Sequence, residues 1–380
     1  MKIALLTTDN REHERTYSET MPRFGRAPEA LLQGFAELGE AEIHVVSCAQ
    51  QPMQSLEKIA DNIRFHSLHV PKIGWLRTLY QGCIRATRRK LREIRPDIVH
   101  GQGTERDCAL AAVLSGFPNV VTIHGNMAEL ARLFHARFGG YDWLAARLEN
   151  FTLRRTAGVF CNSAYTEGLV RPRAKKTWRV PNALRREFFE AVPTGARPCI
   201  LLNVGVVTQR KRQLELLDVA QNLRRRGLKF ELHFIGRLNP SEIYAAAFLE
   251  RLKPLAAEGY ARHLSNLPTR ELITYFDGAA GLVHFPSEES FGLVAVEALA
   301  RNLKFFGSRV GGIADIAAGV PGAELFDMND WAGLTEAIAR WIAQGHSPAA
   351  GSAELMRERY YPAVIARRHL EIYREVLFQR

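Results

Sequence analysis

The feature that most constrains the fold is an alternation of short apolar strands with helical periodicity, present in the first half of the chain and again in the second. The first half contains the strand patterns KIALLTT, EIHVVSC, DIVHG, NVVTIHG, GVFCNS and TWRVPN. The second half contains CILLNVG, KFELHFIG, ARHLSNL, GLVHFPS and KFFGS. Strands that alternate with helices in this way form parallel sheets covered on both faces. The sequence therefore predicts two doubly wound α/β domains.

A boundary between these domains is predicted in the segment LRREFFEAVPTGARP (184–198), which has no periodicity and contains two prolines. We expect an N-terminal domain over 1–185 and a C-terminal domain over 186–362, and 380 residues suit two such domains. The last periodic segment predicts a helix over 363–380. Ligands of doubly wound sheets bind at the carboxyl ends of the strands, so we expect a binding cleft there.

The charge of the chain is concentrated in its first half. The formal net charge is +11, and residues 1–185 hold 27 lysines and arginines against 18 aspartates and glutamates. This excess is typical of a protein with an anionic partner, such as a phospholipid surface or a phosphorylated acceptor, but it also suits an ordinary solubilising surface. Nucleic acid is a third possible anionic partner, but the sequence favours it least, because the basic residues lack interleaved aromatics and a recognisable nucleic-acid-binding module.

One basic segment stands out, IRATRRKLREIR at 84–95, within a helix predicted over 76–95. Six of its twelve residues are basic, and its other face is apolar. Such a helix can dock on an anionic membrane surface, or it can pack its apolar stripe on the sheet and present charge to solvent. The sequence leaves both interpretations open.

The sequence favours a cytoplasmic location. No apolar run approaches the ~18 residues of a membrane span, and the start MKIALLTTDNREHE has only a short apolar run before charged residues resume. The five cysteines are scattered and have no metal-like pair spacing. We therefore expect reduced, buried thiols.

The segment FPSEESFGLVAVEALA (285–300) places two glutamates around the start of a predicted helix. Ser290 is a plausible N-cap, and the amides of residues 291–293 are then the unpaired donors that attract anions. Glu297 lies two turns along an otherwise apolar helix, where a carboxylate needs a partner. That partner could be a ligand diol, but solvent or an arginine would also serve, and Glu289 could simply favour the helix dipole.

This segment resembles the signature of the retaining glycosyltransferases of family four, also called group one, which reads Glu, any residue, Phe-Gly, four residues, Glu-Ala. Further segments resemble the same family along most of the chain, namely VVTIHG, RPDIVHGQG, VPNALRREFF, NVGVVTQRKRQLELLDVA, VGGIADIAAG and YYPAVIARRHLEIYREVL. The resemblance implies the GT-B fold, in which two Rossmann-like domains face each other across the active site. It also implies that the first domain binds the acceptor, that the second binds a nucleotide sugar, and that helix 363–380 packs back on the first.

The resemblance also assigns roles to single residues. Glu289 is expected to bind hydroxyls of the donor sugar, and Glu297 the ribose. His124 is expected to contact the donor sugar at the reaction centre, and Lys211 to neutralise the diphosphate that leaves. The remaining donor-binding residues implied are Gly25, Gly205, Arg210, Leu267, Ser290, Phe291, Gly292 and Leu293.

The sequence departs from the family pattern in three places. Val206 stands after Gly205, where the family has an arginine. Arg210, Arg212 and Arg237 are the candidates to replace that arginine. The loop after the first strand offers only Gly25 where two glycines are common, and Ala183 replaces the glycine of Pro-Asn-Gly.

The function implied is a retaining, metal-independent transfer of a sugar from a nucleotide-diphosphate donor, with UDP favoured. The acceptor would be a glycan or a lipid-linked glycan, in the synthesis of a bacterial envelope polysaccharide such as lipopolysaccharide, at or near the inner face of the membrane. No Asp-x-Asp occurs to hold a metal on the diphosphate, so no cofactor is expected. A sugar-nucleotide epimerase of the same fold and a catalytically silent subunit remain as alternatives.

Overall fold

The structure is a computed structural model that describes residues 1–193, 195 and 197–379. It divides into two compact units, one formed by Met1–Arg185 with Tyr360–Arg380 and the other by Arg186–Arg359. Of the segment predicted as a linker, residues 194 and 196 lie outside the described part of the chain, as does residue 380 of the predicted closing helix.

The first unit is built on an eight-stranded sheet with the order β3-β4-β2-β1-β5-β6-β7-β8. Its strands are β1 (Lys2–Leu6), β2 (Glu42–Ala49), β3 (Lys58–Ala60), β4 (Ile63–His69), β5 (Ile98–Gln102), β6 (Asn119–Ile123), β7 (Val159–Cys161) and β8 (Thr177–Arg179). All neighbours pair in parallel except β3 with β4. Its first seven helices are α1 (Asn10–Glu14), α2 (Arg26–Leu38), α3 (Gln81–Ile94), α4 (Asp107–Val113), α5 (Met127–Leu133), α6 (Tyr141–Leu153) and α7 (Ala164–Val170).

The second unit is built on a six-stranded parallel sheet with the order β11-β10-β9-β12-β13-β14. Its strands are β9 (Ile200–Val204), β10 (Glu231–Ile235), β11 (Ala261–Leu264), β12 (Gly281–His284), β13 (Lys304–Ser308) and β14 (Ala323–Phe326). Its helices are α8 (Gln213–Arg225), α9 (Ile243–Ala257), α10 (Thr269–Asp277), α11 (Leu293–Ala300), α12 (Gly311–Ala317) and α13 (Trp331–Ala343). Two further helices follow in the chain, α14 (Ser352–Tyr360) and α15 (Pro362–Phe378).

The first sheet is covered on both faces, as the strand patterns predict. Ile3 and Leu5 of β1 belong to a buried cluster that includes side chains of α2 and α15, whereas Ala4 and Leu6 belong to a second cluster with α3 and α4. This alternation follows from the two-residue period of a strand. Helix α15 thus packs within the first unit, where a Cβ at Gly34 of α2 would lie 2.1 Å from the Pro362 carbonyl oxygen.

The predicted fold class is confirmed, but the start of one helix was predicted wrongly and three strands were missed. The helix predicted over 76–95 begins only at Gln81, because Leu79 and Tyr80 take left-handed backbone angles after a short 3₁₀ turn. Strands β3, β4 and β14 were not predicted, since none of KIA, IRFHSLH and AELF shows a long apolar run. Within the described residues, no helix is long and apolar enough to cross a membrane.

Candidate functional site

The loop between β12 and α11 carries Glu289 at the carboxyl edge of the second sheet. Helix α11 begins at Leu293, and its N-cap is Gly292 with a φ of 97°. The prediction that Ser290 caps this helix is therefore wrong, because the chain needs a left-handed residue to turn from the loop into the helix, and glycine adopts that conformation without strain. The free amides of the first turn accordingly start at residue 293 and not at residue 291.

Two glycines of the segment VGGIADIAAG fix the position of this loop. The Gly312 amide donates to the Glu289 carbonyl oxygen at 3.2 Å. A Cβ at Gly311 would lie 1.6 Å from that oxygen, and a Cβ at Gly312 would lie 2.6 Å from the Cα of Phe291. Residues 289–291 can therefore rest directly on the start of α12 only because neither position has a side chain.

A charged cluster forms around Glu289. Its carboxylate makes an ion pair with the Lys211 ammonium, which follows β9 on a 3₁₀ turn. The Nε2 atom of His284, the last residue of β12, lies 3.2 Å from Glu289 Oε2 and 3.5 Å from Lys211 Nζ. The cluster thus joins the carboxyl ends of two neighbouring strands, which is where ligands of such sheets bind.

The protonation states of the cluster follow from burial and from the lysine. Burial alone would raise the pKa of Glu289, but the Lys211 ammonium and then His284 outweigh it and hold that pKa well below its usual range. Burial, assisted by the charge of Lys211, lowers the pKa of His284 to about 4. At neutral pH Glu289 is therefore a carboxylate and His284 a neutral imidazole.

The three arginines considered as substitutes for the missing one have different surroundings. Arg210 is paired with Glu288 at 3.0 Å, and the Arg212 guanidinium donates to Met328 and Asn329. Arg237 is exposed, and it has no ion pair in the part of the chain that the structure describes. Its carbonyl oxygen accepts from the Val207 amide at 2.9 Å, so Arg237 lies beside the loop that lacks the arginine.

Gly236, which precedes Arg237, and Gly205, which precedes Val206, allow the two loops to approach each other. Gly236 and Gly205 have φ angles of 152° and 156°. A Cβ at Gly236 would lie 2.1 Å from the Gly205 carbonyl oxygen. The ends of β9 and β10 therefore approach each other with backbone against backbone, and Arg237 is brought to the side of Val206.

The remaining predicted residues of the second unit lie on its sheet edge or in α11. Leu267 is half-buried in the loop between β11 and α10. Glu297 is 1% exposed, two turns along α11, among residues that are otherwise apolar. Its burial excludes the interpretation that it simply faces solvent.

In the first unit, His124 follows β6 and is held by Gln102 of the neighbouring strand β5. The Gln102 side-chain oxygen accepts from His124 Nε2 at 2.9 Å. This bond places the proton on Nε2 and leaves Nδ1 as the acceptor atom of the ring. Burial lowers the pKa of His124 to about 4, so the ring is neutral at neutral pH.

The carboxylates of Glu105 and Glu149 hold the loop that follows His124. Glu105 accepts from the Gly125 amide at 2.9 Å. Glu149, fully buried on α6, accepts from the Met127 amide at 2.8 Å and pairs with Arg173 at 2.8 Å. Because these bonds satisfy amides at the start of α5, the backbone on the C-terminal side of His124 is rigidly placed.

Gly25 is the N-cap of α2 with a φ of −62°. A Cβ there would meet only the Pro28 side chain, at 3.7 Å. The backbone of the unit itself therefore does not require glycine at this position.

Two neighbours of the predicted residues were missed in the sequence, His284 and Gln102. Each is a polar residue at the carboxyl end of a buried strand, in GLVH and IVHGQ. Their position at the end of a buried strand could have identified them as candidates, because buried polar groups need partners and ligands bind at this edge of the sheet.

The sequence spacing also did not show that Cys48, Cys83 and Asp107 meet in the first unit. Their potential ligand atoms lie within 4.8 Å of one another, and all three residues are buried. Contact with Cys83 and burial raise the pKa of Cys48 well above its usual value, which favours the protonated thiol. Both cysteines belong to an apolar cluster of the core.

The chain matches two family descriptions in succession. Residues 26–187 match Glycosyltransferase Family 4, and residues 185–357 match Glycosyl transferases group 1. No curated protein sequence matches the chain.

Several solved structures have the same fold over the whole chain. A sucrose-phosphate synthase from Thermosynechococcus elongatus is 19% identical, with a TM-score of 0.76 and complete coverage of both chains. Anabaena Alr3699/HepE in complex with UDP and glucose is 15% identical, with a TM-score of 0.72, and the match covers 99% of this chain and 100% of that one. The lipopolysaccharide outer core galactosyltransferase WaaB is 16% identical, with a TM-score of 0.67, 100% coverage of this chain and 99% of that one.

The two family matches follow each other along the chain, and the structural likeness spans both sheets. The chain therefore belongs to the group 1 (family 4) glycosyltransferases and is a transferase with their GT-B fold of two Rossmann-like domains.

Proposed function

We propose that this protein is a retaining, metal-independent glycosyltransferase that moves a sugar from a UDP-sugar to a glycan or lipid-linked acceptor. The observation that carries the proposal is the contact of Lys211 with Glu289 at the carboxyl edge of the second sheet. A cation and a carboxylate placed together suit the two parts of a sugar nucleotide, namely the phosphates and the sugar hydroxyls.

The ion pair gives each partner a defined task when the donor binds. Both side chains are only 14% exposed, so neither charge is well solvated in the free protein. A donor would turn Lys211 towards the diphosphate and leave the Glu289 carboxylate to accept from sugar hydroxyls. As the anomeric bond breaks, negative charge grows on the bridging phosphate oxygen, and a fixed ammonium stabilises it in place of a metal ion.

We assign Arg237 the role of the missing arginine. It lies beside Val206 and is exposed, whereas Arg210 and Arg212 are bonded to Glu288 and to the loop at 328–329. A guanidinium at this edge of the sheet can reach a phosphate with two parallel hydrogen bonds, which a lysine cannot do. Donor-binding roles for Gly205 and for Ser290, Phe291, Gly292 and Leu293 belong to the same proposal.

The other roles rest on the family resemblance and on burial. Glu297 is buried, as a carboxylate that binds a ribose diol needs to be. His124 presents a neutral ring with its Nδ1 lone pair, which suits a contact with a sugar hydroxyl rather than with a phosphate. We propose a same-face displacement in which the leaving phosphate helps to deprotonate the acceptor.

Uridine is the base that we propose, with Leu267 holding it through the backbone. The segment from His263 to Leu272 contains Glu271 but no carboxylate in the loop before α10, where guanine would be bound. The HepE structures contain UDP and UDP-glucose, and WaaB is described as a lipopolysaccharide galactosyltransferase. These neighbours support a UDP-sugar and an envelope glycan as the first substrates to test.

The test is donor binding and slow hydrolysis with a panel of UDP-, GDP- and ADP-sugars, with a metal chelator present. We expect one UDP-sugar to bind and to be hydrolysed by the wild type, and hydrolysis to fall about 100-fold in Glu289→Ala. Glu336→Ala is the matched control, because Glu336 is an exposed glutamate paired with Arg226.

Other outcomes would contradict the proposal. An epimerised sugar nucleotide without an acceptor would indicate the epimerase reaction. The absence of binding by every donor would indicate a silent subunit, and activity abolished by the chelator would contradict the metal-independent mechanism. The anomeric configuration of the transferred sugar, measured by NMR spectroscopy, tests retention.

A further inference from the structure

The first unit exposes a group of large apolar side chains on two of its loops. The exposed fractions are 71% for Ile73 and 44% for Leu79 in the segment before α3. They are 60% for Phe134 and 86% for Phe138 between α5 and α6, and 47% for Tyr141, the first residue of α6. We call these five side chains the apolar rim. Single exposed apolar residues are common, but several in two short segments mark a surface used for binding.

The two segments of the rim are neighbours in the fold. The Tyr141 hydroxyl donates to the Glu105 carbonyl oxygen at 2.9 Å. The guanidinium of the next residue, Arg106, lies over the Trp75 ring at 4.9 Å from its centroid. The segment that contains Ile73 and Leu79 and the segment that ends at Tyr141 are therefore joined through residues 105–106.

The exposure of the rim follows from fixed local structure. Helix α5 ends at Leu133, and left-handed residues at His135 and Gly139 then reverse the chain before α6. The Phe138 ring packs against Trp143 at a centroid distance of 4.6 Å. Phe138 is thus held in an outward position by a ring of the following helix.

The charge around the rim is positive. The segments 71–80 and 132–141 contain no aspartate or glutamate. Lys72, Arg77 and Arg137 are exposed there, and none of them has an ion pair among the residues that the structure describes. Aromatic side chains flanked by cations are the combination that binds at the boundary between lipid headgroups and acyl chains.

The basic helix α3 differs from the rim because it exposes charged side chains but keeps its apolar side chains buried. Its apolar residues Ile84, Leu91 and Ile94 are buried in the core of the unit, while its arginines point outwards. Of the two interpretations that the sequence left open for residues 84–95, the structure supports a helix that packs on the sheet with a charged outer face. Helix α3 can therefore add electrostatic attraction to a membrane but no apolar side chain to insert.

We propose that the apolar rim docks on an anionic lipid bilayer, with Phe134 and Phe138 entering the headgroup region and Lys72, Arg77 and Arg137 contacting lipid phosphates. The two phenylalanine rings favour docking because their apolar surface leaves water, and the three cations favour it because they are attracted to the anionic surface. The rim belongs to the first unit and the Lys211–Glu289 pair to the second, so this inference does not rest on the proposed donor site.

The test is co-sedimentation of the full chain with vesicles of phosphatidylcholine alone or mixed with phosphatidylglycerol. We expect binding only to the mixed vesicles, weakened by salt, and about tenfold weaker in the double variant Phe134→Ser/Phe138→Ser. Ile243→Ser and Phe378→Ser are matched controls, because these side chains are 91% and 88% exposed but lie outside the rim. Both controls should bind as the wild type does.

Three results would overturn the inference. These are equal binding of the wild type to both kinds of vesicle, unchanged binding of the double variant, and an equal loss in the controls. Arg137→Glu provides a second variant that leaves the apolar contacts intact, and it should also weaken binding to the mixed vesicles. Donor binding without vesicles should be the same in wild type and rim variants, so a failure of this inference is distinguishable from a failure of the proposed function.

Discussion

The candidate residues of the two units use opposite kinds of chemistry. In the second unit, Lys211 and Glu289 are ionised, poorly solvated and in contact, with the neutral ring of His284 beside them. In the first unit, His124 is neutral and is held by the amide of Gln102. The difference suggests that the second unit supplies charge to a ligand, whereas the first supplies one ring in a fixed orientation.

Lys211→Ala should have the largest effect. It removes the cation proposed to stabilise the leaving diphosphate, and it leaves Glu289 buried without its main partner. We expect kcat/KM for transfer to fall about 1,000-fold. The pKa of Glu289 should rise, because burial then acts without the ammonium that opposes it. Steady-state kinetics with the preferred donor provide the measurement.

Lys253→Ala is the matched control for this variant, because Lys253 is an exposed lysine that pairs with Glu250 on the same helix. It should retain full activity. A Lys211→Ala enzyme with more than a third of wild-type activity would show that the charged cluster does not act on the leaving group.

Gln102→Glu should have a smaller effect that depends on pH. A carboxylate next to His124 Nε2 favours the imidazolium, so it raises the pKa of His124 from about 4 towards neutrality. If the neutral ring is the active form, the acid limb of the kcat/KM profile moves to higher pH. We expect about a tenfold loss at pH 6 and little loss at pH 8.

Gln102→Ala separates orientation from charge. It removes the acceptor that fixes the tautomer of His124, so kcat should fall at every pH while the acid limb stays in place. An identical pH profile in the wild type and in Gln102→Glu would show that His124 does not need to be neutral. If the role of Gln102 is purely structural, Gln102→Glu should lower the stability of the protein and leave the acid limb of the kcat/KM profile in place.

The fold could be predicted largely from apolar runs, because most of the strands contain one, as Lys2–Leu6 does. KFFGS is a strand over the same five residues that were predicted, Lys304–Ser308. β4 was missed because its polar residues, such as Arg64 and His66, interrupt that run. The late start of α3 was missed because helical periodicity does not report the left-handed angles of Leu79 and Tyr80.

The candidate site could be predicted only in part. Lys211 and Glu289 were each identified from the family motif, but their contact joins residues 78 positions apart and depends on the pairing of β9 with β12. His284 was missed because its importance arises from that contact and not from a motif. The choice of Ser290 as the N-cap was wrong because a side-chain preference gave no information about the φ of Gly292.

Arg237→Ala tests which arginine of the second unit contacts the donor phosphates in place of the arginine missing at Val206. Arg237 lies beside Val206, whereas Arg212 donates to Met328 and packs over Trp331 at 4.6 Å. We expect KM for the donor to rise about tenfold in Arg237→Ala, as for the loss of one charged hydrogen bond. Arg212→Ala should lower the melting temperature and leave KM within about twofold of the wild type. The reverse pattern would assign the phosphate contact to Arg212.

Gly25→Ala should have the smallest effect and separates a glycine required by the fold from one required by a ligand. Gly25 has a φ of −62°, and an added Cβ meets only Pro28, so the melting temperature should change little. If the Gly25 backbone approaches the donor phosphates, the donor affinity should still fall about threefold.

Gly311→Ala is the contrasting variant, because its Cβ would lie 1.6 Å from the Glu289 carbonyl oxygen. It should lose stability and activity together, since the loop that carries Glu289 must move. Unchanged donor affinity in Gly25→Ala would remove Gly25 from the donor site and leave His124 as the residue of the first unit for which a donor contact is proposed.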